Sequence, residues 1–174
     1  LKSGEVFTAP KFISNICASK MFLTMLDGIQ ISERASDRAR QVNGSVSAFV
    51  VYLGLNIDIR EQGITDYEIF MDPDFDLENQ YTAAITNDLA KTQMIATIYS
   101  NLDTGCAPKG KTTMSLFHLS GYDFWKGLSK DEYKSKKAEL ADLAVSKCEK
   151  FFPRIKQCIE VKEIATPLTL ESYS

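Results

Sequence analysis

The chain has one histidine, His118, in 174 residues, and no Ser or Cys stands at motif spacing from it. Histidine-based nucleophilic chemistry therefore lacks a recognisable motif, and a zinc cluster of ordinary spacing cannot be assembled. Four cysteines, Cys17, Cys106, Cys148 and Cys158, contain no Cys-x-x-Cys pair and are too few for a disulfide framework in a chain this long. They read as free thiols, behaving as small hydrophobes where buried. No Lys/Arg block accompanies the net charge of -3, so a footprint for nucleic acid or an anionic leaflet is missing. The longest apolar run, Ala48 to Leu55, falls far short of the ~20 residues of a membrane span. The opening, Leu1-Lys2-Ser3-Gly4-Glu5, is charged and has no apolar h-region, which makes a soluble, cytoplasmic protein the expectation. Neither G-x-G-x-x-G nor G-x-x-x-x-G-K-[ST] occurs. Gly105 and Gly110 open no helix, so the phosphate cradle at a helix N-terminus is lacking.

What is present is material for one core: 44% of residues are hydrophobic, and a chain of this size is naturally read as one domain. Residues 2–15 read as two short strands meeting a turn. Ile16 to Leu26 carries Met21, Phe22, Met25 and Leu26 at helical spacing and stops at Gly28. Ser32 to Gly44, with Arg34, Asp37, Arg38 and Arg40, is a short exposed helix or a loop. Its arginines could hold an anion or simply face water. Ser45 to Leu55 is apolar on both parities, as in a strand covered on both faces, and a central place follows. Tyr67 to Met71 is a shorter strand. Asp74 or Asp76 can cap a helix over Leu77 to Leu89, whose Leu77, Tyr81, Ala84, Ile85 and Leu89 share one face.

Strands are expected again at Gln93 to Tyr99 and Lys111 to Leu119. The loop between them is long for a hairpin; it either works or wraps the sheet edge. Ser129-Lys130-Asp131-Glu132 matches a capping box, opening a long amphipathic helix with Tyr133, Leu140, Ala144, Cys148 and Phe151 on one face and Pro153 as its stop. Ile155 to Ala165 alternates apolar and charged residues, which suits an edge strand. The order ββαββαβ predicts an α+β fold: a mixed, largely antiparallel sheet of about five or six strands with helices on one face and the other face free.

Candidate chemistry is sparse. His118 shares strand parity with Met114 and Leu116, and it is either a packed, hydrogen-bonded residue or one bordering a ligand cavity. Asp72, Asp74 and Asp76 alternate like a calcium loop but lack its glycine and distal glutamate; turn formation and helix capping account for them. No metal ligand set is expected.

A series of short motifs carries a resemblance. Gly4-Glu5-x-x-x-Ala9-x-x-Phe12-Ile13-Ser14-Asn15, the strand with Tyr52-Leu53-Gly54-Leu55, then Ala107-Pro108-x-Gly110 and Thr166-Pro167-x-Thr169 follow in the order of landmarks in the phytoene desaturase, carotenoid isomerase and retinol saturase group. The chain resembles these FAD-dependent oxidoreductases of the amine oxidase superfamily along essentially its whole length. The resemblance implies the central substrate-binding domain of a longer polypeptide. Residues 1–15 would then be remnant strands at the crossover from the flavin domain, 16–166 the substrate-binding domain, and 167–174 the start of the return. The absent initiator Met and the abrupt final residues fit that expectation.

The resemblance implies FAD in the parent protein and none bound by this piece, an apolar polyene- or lipid-like substrate, and desaturation, saturation or isomerisation as the reaction. It also implies a flavin-binding domain of the same polypeptide as partner. No catalytic residue can be carried over. Met114, Leu116, His118 and Tyr52 are the candidates for lining the substrate. An apolar face parted from its partner domain would favour a homodimer, and peripheral membrane contact is open to the parent. The alternative is a self-standing α+β module that binds an apolar ligand or a protein and has no redox role.

Overall fold

The structure, a computed structural model, describes residues 4–42, 46–72 and 75–173. The chain divides into two units, Leu1–Gly44 and Ser45–Ser174. In the first, the described residues 4–15 form no strand and are exposed throughout. The two expected strands are absent there because an extended segment without a hydrogen-bonded neighbour is not a strand. Helix α1, Ala18–Lys20, runs on as a π-helical turn over Met21–Met25, and Gly28 reverses the chain at φ +77°. Helix α2, Glu33–Gln41, settles the open choice in the polar stretch. Ser32 caps it, accepting from the Ala35 amide, and Arg40 pairs with Asp37 at 3.0 Å on the wet side.

The second unit is built on five strands: β1 Ser47–Leu55, β2 Glu68–Met71, β3 Met94–Ile98, β4 Thr112–Ser120 and β5 Ile159–Ala165. Their order in space is β2-β3-β4-β1-β5, and every pairing is antiparallel. The α+β architecture and the element order are as expected, with no parallel component. β4 holds the middle; β1 lies between it and the edge strand β5. Glu160, Lys162 and Glu163 keep that outer edge charged, which blocks further strand addition.

Register sorts the side chains. Phe49, Val51 and Leu53 of β1 lie opposite His118, Leu116 and Met114 of β4, and Ala96 and Ile98 of β3 extend the same face. Helix α6, Lys130–Cys148, covers it with Leu140, Ala141, Ala144, Val145 and Cys148. The capping box forms in full, the Ser129 hydroxyl accepting from the Glu132 amide and the Glu132 carboxylate from the Ser129 amide at 2.9 Å. The helix ends at Cys148, before Pro153, so the phase changes: Phe151 is exposed and Phe152 is buried in its place.

Four shorter helices complete the packing, the first of them a single turn, α4, Tyr99–Leu102, directly after β3. α5, Tyr122–Lys126, inserts Trp125 into the core, stacked on Phe49 at 5.5 Å and meeting Tyr133 edge-on. α7, Ile155–Cys158, takes the first residues of the expected last strand. Arg154 enters it with a left-handed φ of 68°, which turns Ile155 into the core. α8, Pro167–Tyr173, packs on β1 and β5.

α3, Leu77–Thr86, differs from its expected orientation: Ala83 and Ala84 are buried, while Leu77, Tyr81 and Ile85 are exposed. The cause is a close backbone approach. The Gly121 amide donates to the Ala84 carbonyl at 2.9 Å, and a Cβ on Gly121 would sit 2.4 Å from the Ile85 carbonyl oxygen. Only small side chains fit at such a contact. Asp76 caps the helix through the Glu78 and Asn79 amides; Pro73 and Asp74 lie outside the described residues.

Candidate functional site: the uncovered sheet face

The parity opposite α6 presents Ala48, Val50, Tyr52 and Gly54 of β1 beside Leu119, Phe117, Ser115 and Thr113 of β4. β3 adds Ile95 and Thr97, and β5 adds Val161 and Glu163. α8 covers one corner, where Leu170 packs with Ala48, Val50, Ala165 and Phe117. Elsewhere large apolar side chains stay open: Tyr52 is 42%, Leu119 43%, Val161 55% and Phe70 56% exposed. Isolated exposed hydrophobes need no explanation, but side chains sharing one sheet face do.

A cavity lies towards each end of this face. One, of about 280 Å³, is formed by Leu77, Tyr81 and Ala84 of α3 against Ile95, Phe117 and Leu119. The other, of about 320 Å³, is bounded by Tyr52, Gly54, Pro108, Thr113 and Val161. The long β3–β4 connection thus supplies Pro108 as a wall. Lys111 and Glu160 line the same cavity and form an ion pair. Between the cavities the Tyr99 and Ser115 hydroxyls bond to each other at 3.0 Å.

The sheet separates the four candidate residues. Tyr52 stands on the uncovered face. Met114, Leu116 and His118 stand on the other, closed to solvent at 0%, 0% and 1% exposure, although His118 is also among the residues that border the cavity beside α3. The His118 ring stacks on Phe49 at 5.0 Å, its Nδ1 lies 3.2 Å from the Leu119 carbonyl, and Nε2 has no hydrogen-bond partner among the described residues. Burial pushes its pKa down to about 4, and the Lys147 ammonium pushes the same way, against the Leu119 carbonyl. The ring is thus neutral at neutral pH. Lys147 itself donates to the Leu89 and Thr92 carbonyls at 2.7 and 2.9 Å, and burial lowers its pKa.

Phe117, Leu119, Ile95 and Val161 were not among the sequence candidates for a site, and Pro108 stood only as part of the Ala107-Pro108-x-Gly110 landmark. No signal in the strand could have found the first two: both parities of β4 mix polar and apolar residues, Thr113, Ser115, Phe117 and Leu119 against Thr112, Met114, Leu116, His118 and Ser120.

Other sequence candidates resolve locally. Asp72 accepts from Gln93, and among the described residues no three His, Cys, Asp or Glu side chains are placed to hold a metal. Cys148 lies in the core, where burial raises its thiol pKa, while Cys17 and Cys106 are exposed. No described helix is long and apolar enough to cross a membrane.

The flavin implied by the sequence resemblance needs a glycine-bearing turn between a strand and a helix, open to pyrophosphate. The strand–glycine–helix junction present here, β4–Gly121–α5, is occupied by the backbone of α3. These residues do not fit that cofactor.

Fold and site together define a class: an antiparallel sheet with one face packed under helices and the other partly apolar and only partly covered, by α3 and α8. No protein-family model matches the chain. Curated relatives do, almost from end to end. Prolycopene isomerase of Daucus carota is 25% identical over 175 residues, covering 99% of this chain and 27% of the relative. The Arabidopsis thaliana protein of that name is 26% identical over 171 residues, and prolycopene isomerase 2 of an Oncidium hybrid cultivar is 35% identical over 170 residues. All three are named as chloroplastic. The chain's homologues are thus carotenoid isomerases of the amine oxidase superfamily, in keeping with the resemblance read from its motifs. The chain spans about 27% of the length of these relatives.

Proposed function

We propose that this chain is the substrate-binding part of a flavin-dependent enzyme that modifies a carotenoid or similar polyene, and that the uncovered sheet face forms one wall of its substrate site. The carrying observation is that face itself, where Tyr52, Phe117, Leu119 and Val161 offer apolar contact between two cavities. Burying such surface against a hydrocarbon is favourable at about 25 cal/mol per Å². The flavin is held by polypeptide outside this chain, since the strand–glycine–helix junction here is filled. Similarity to the prolycopene isomerases supports the substrate class.

The test is a full-length protein containing this segment, assayed for flavin absorbance and for conversion of prolycopene. Tyr52→Asp and Phe117→Asp should each retain flavin and lose most of the turnover. Undiminished turnover in both, or a full-length protein without flavin, overturns the reading. Exposed in the isolated chain, the same face favours self-association, which sedimentation velocity would register as a concentration-dependent dimer.

A further inference from the structure

Gly54 lies inside β1 where the β1–β5 register slips, between Gly54 and Leu55, but it is not among the residues of positive φ, so its backbone does not itself require glycine. Interior glycines weaken strands and commonly mark a place where something approaches closely. Here the neighbours are known. Gly54 faces Thr113 on β4 and Val161 on β5, and a Cβ would lie 3.3 Å from the Val161 Cβ. That contact is tight, and since a Cβ is fixed to its backbone, an alanine here requires the edge strand β5 itself to shift slightly. A larger side chain would fill the cavity of about 320 Å³ above Gly54.

That cavity is near the lower limit for ligand pockets, which run from about 300 to 1,000 Å³. It suits one end of a molecule. The rest of the molecule has a path: Thr113, Ser115, Phe117 and Leu119 follow one another along β4 to the second cavity, under Leu77 and Tyr81. The six steps from Thr113 to Leu119 span about 20 Å. Beyond Gly54 the path meets the Lys111–Glu160 ion pair, and a hydrocarbon end advancing over that pair would strip water from charges without replacing its hydrogen bonds.

We propose that Gly54 sets the length of apolar ligand that the face accepts: its missing side chain opens the terminal cavity, and the Lys111–Glu160 pair is the stop. The proposal rests on the substrate-wall reading above and adds to it the residue that determines specificity. An acyclic, chain-like hydrocarbon end is the group that enters, since a cavity of about 320 Å³ suits one end of such a chain.

Two neutral fluorescent probes test it on this chain: methyl trans-parinarate, which is long and linear, and 1-aminoanthracene, which is compact and fits the cavity beside α3. The variants are Gly54→Leu and Gly54→Leu with Val161→Gly, the second removing both the Val161 Cβ and the Val161 Cγ2 that the new Cβ would meet at 3.3 and 3.5 Å; circular dichroism checks that each is folded. Both should weaken the linear probe by about tenfold or more and shift the compact probe by less than about twofold. If wild type binds the linear probe and both filled variants bind it equally well, the role given to Gly54 is wrong and the substrate-wall reading survives. If wild type binds neither probe, the substrate-wall reading itself fails.

Discussion

Acid should unfold this protein through His118 before its carboxylates come into play. The folded ring has a pKa of about 4 against 6.5 for an unperturbed histidine. As the folded value is the lower one, the unfolded chain takes up the proton first as pH falls. Stability is complete above 6.5, declines through the interval below it, and stops declining near 4. The whole shift is about two and a half units at about 1.4 kcal/mol each, roughly 3 kcal/mol, of which about 2 kcal/mol is lost by pH 5. The carboxylates of Asp58 and Glu132, held low by Arg60 and Ser129, add their losses at still lower pH.

The assay is urea unfolding at pH 7.5, 6 and 5, followed by the fluorescence of Trp125, the only tryptophan. With a slope of about 2 kcal/mol per molar urea, the midpoint should fall by about 1 M between pH 7.5 and 5. His118→Phe keeps an aromatic ring against Phe49 and removes the unpartnered Nε2. Its midpoint should hardly move over the same interval. Equal pH dependence in wild type and variant would refute the argument, because the buried imidazole would then not be the group that titrates.

Other consequences follow from particular contacts. Gly121→Ala places a methyl 2.4 Å from the Ile85 carbonyl oxygen and should cost about 1–3 kcal/mol of unfolding free energy, or more, by denaturant titration. Ser129→Ala removes one limb of the capping box and should cost about 1 kcal/mol, read as a lower thermal midpoint. Trp125→Ala empties the space between Phe49 and Tyr133 and removes the Nε1–H that donates to the Ser120 hydroxyl at 2.8 Å, leaving that hydroxyl only its bond to Asn87. Loss of about 3–5 kcal/mol is expected, followed by circular dichroism.

Local signals were legible in the sequence and non-local ones were not. The capping box, the Gly28 stop and the apolar parities of β1 and β4 depend on neighbours a few residues apart, and each has its counterpart in the structure. Parity says which side chains share a face; it does not say which face a helix covers. That is decided by α6 and by Trp125, far along the chain, and so Met114, Leu116 and His118 were grouped with Tyr52 although the sheet divides them. The stripe of α3 fails for a related reason, since its buried side is chosen by contact with Gly121. Nothing in the sequence brings Val161 beside Gly54; only the β1–β5 register does.

The uncovered face also differs from an ordinary wet sheet face in how it treats its polar groups. On a face meant for water, hydroxyls can leave their hydrogen bonds to solvent. Here Ser115, 2% exposed in the middle of the face, is bonded at 3.0 Å to the Tyr99 hydroxyl, and Thr113 at its end donates to the Cys106 carbonyl at 2.9 Å. An apolar ligand laid over an unsatisfied hydroxyl would incur the cost of stripping its water, about 1–3 kcal/mol per group. Over hydroxyls already bonded within the protein that cost is largely removed. On the proposed substrate-wall reading, the pairing of Ser115 with Tyr99 lets this parity lie under hydrocarbon at little cost in the stretch between the two cavities.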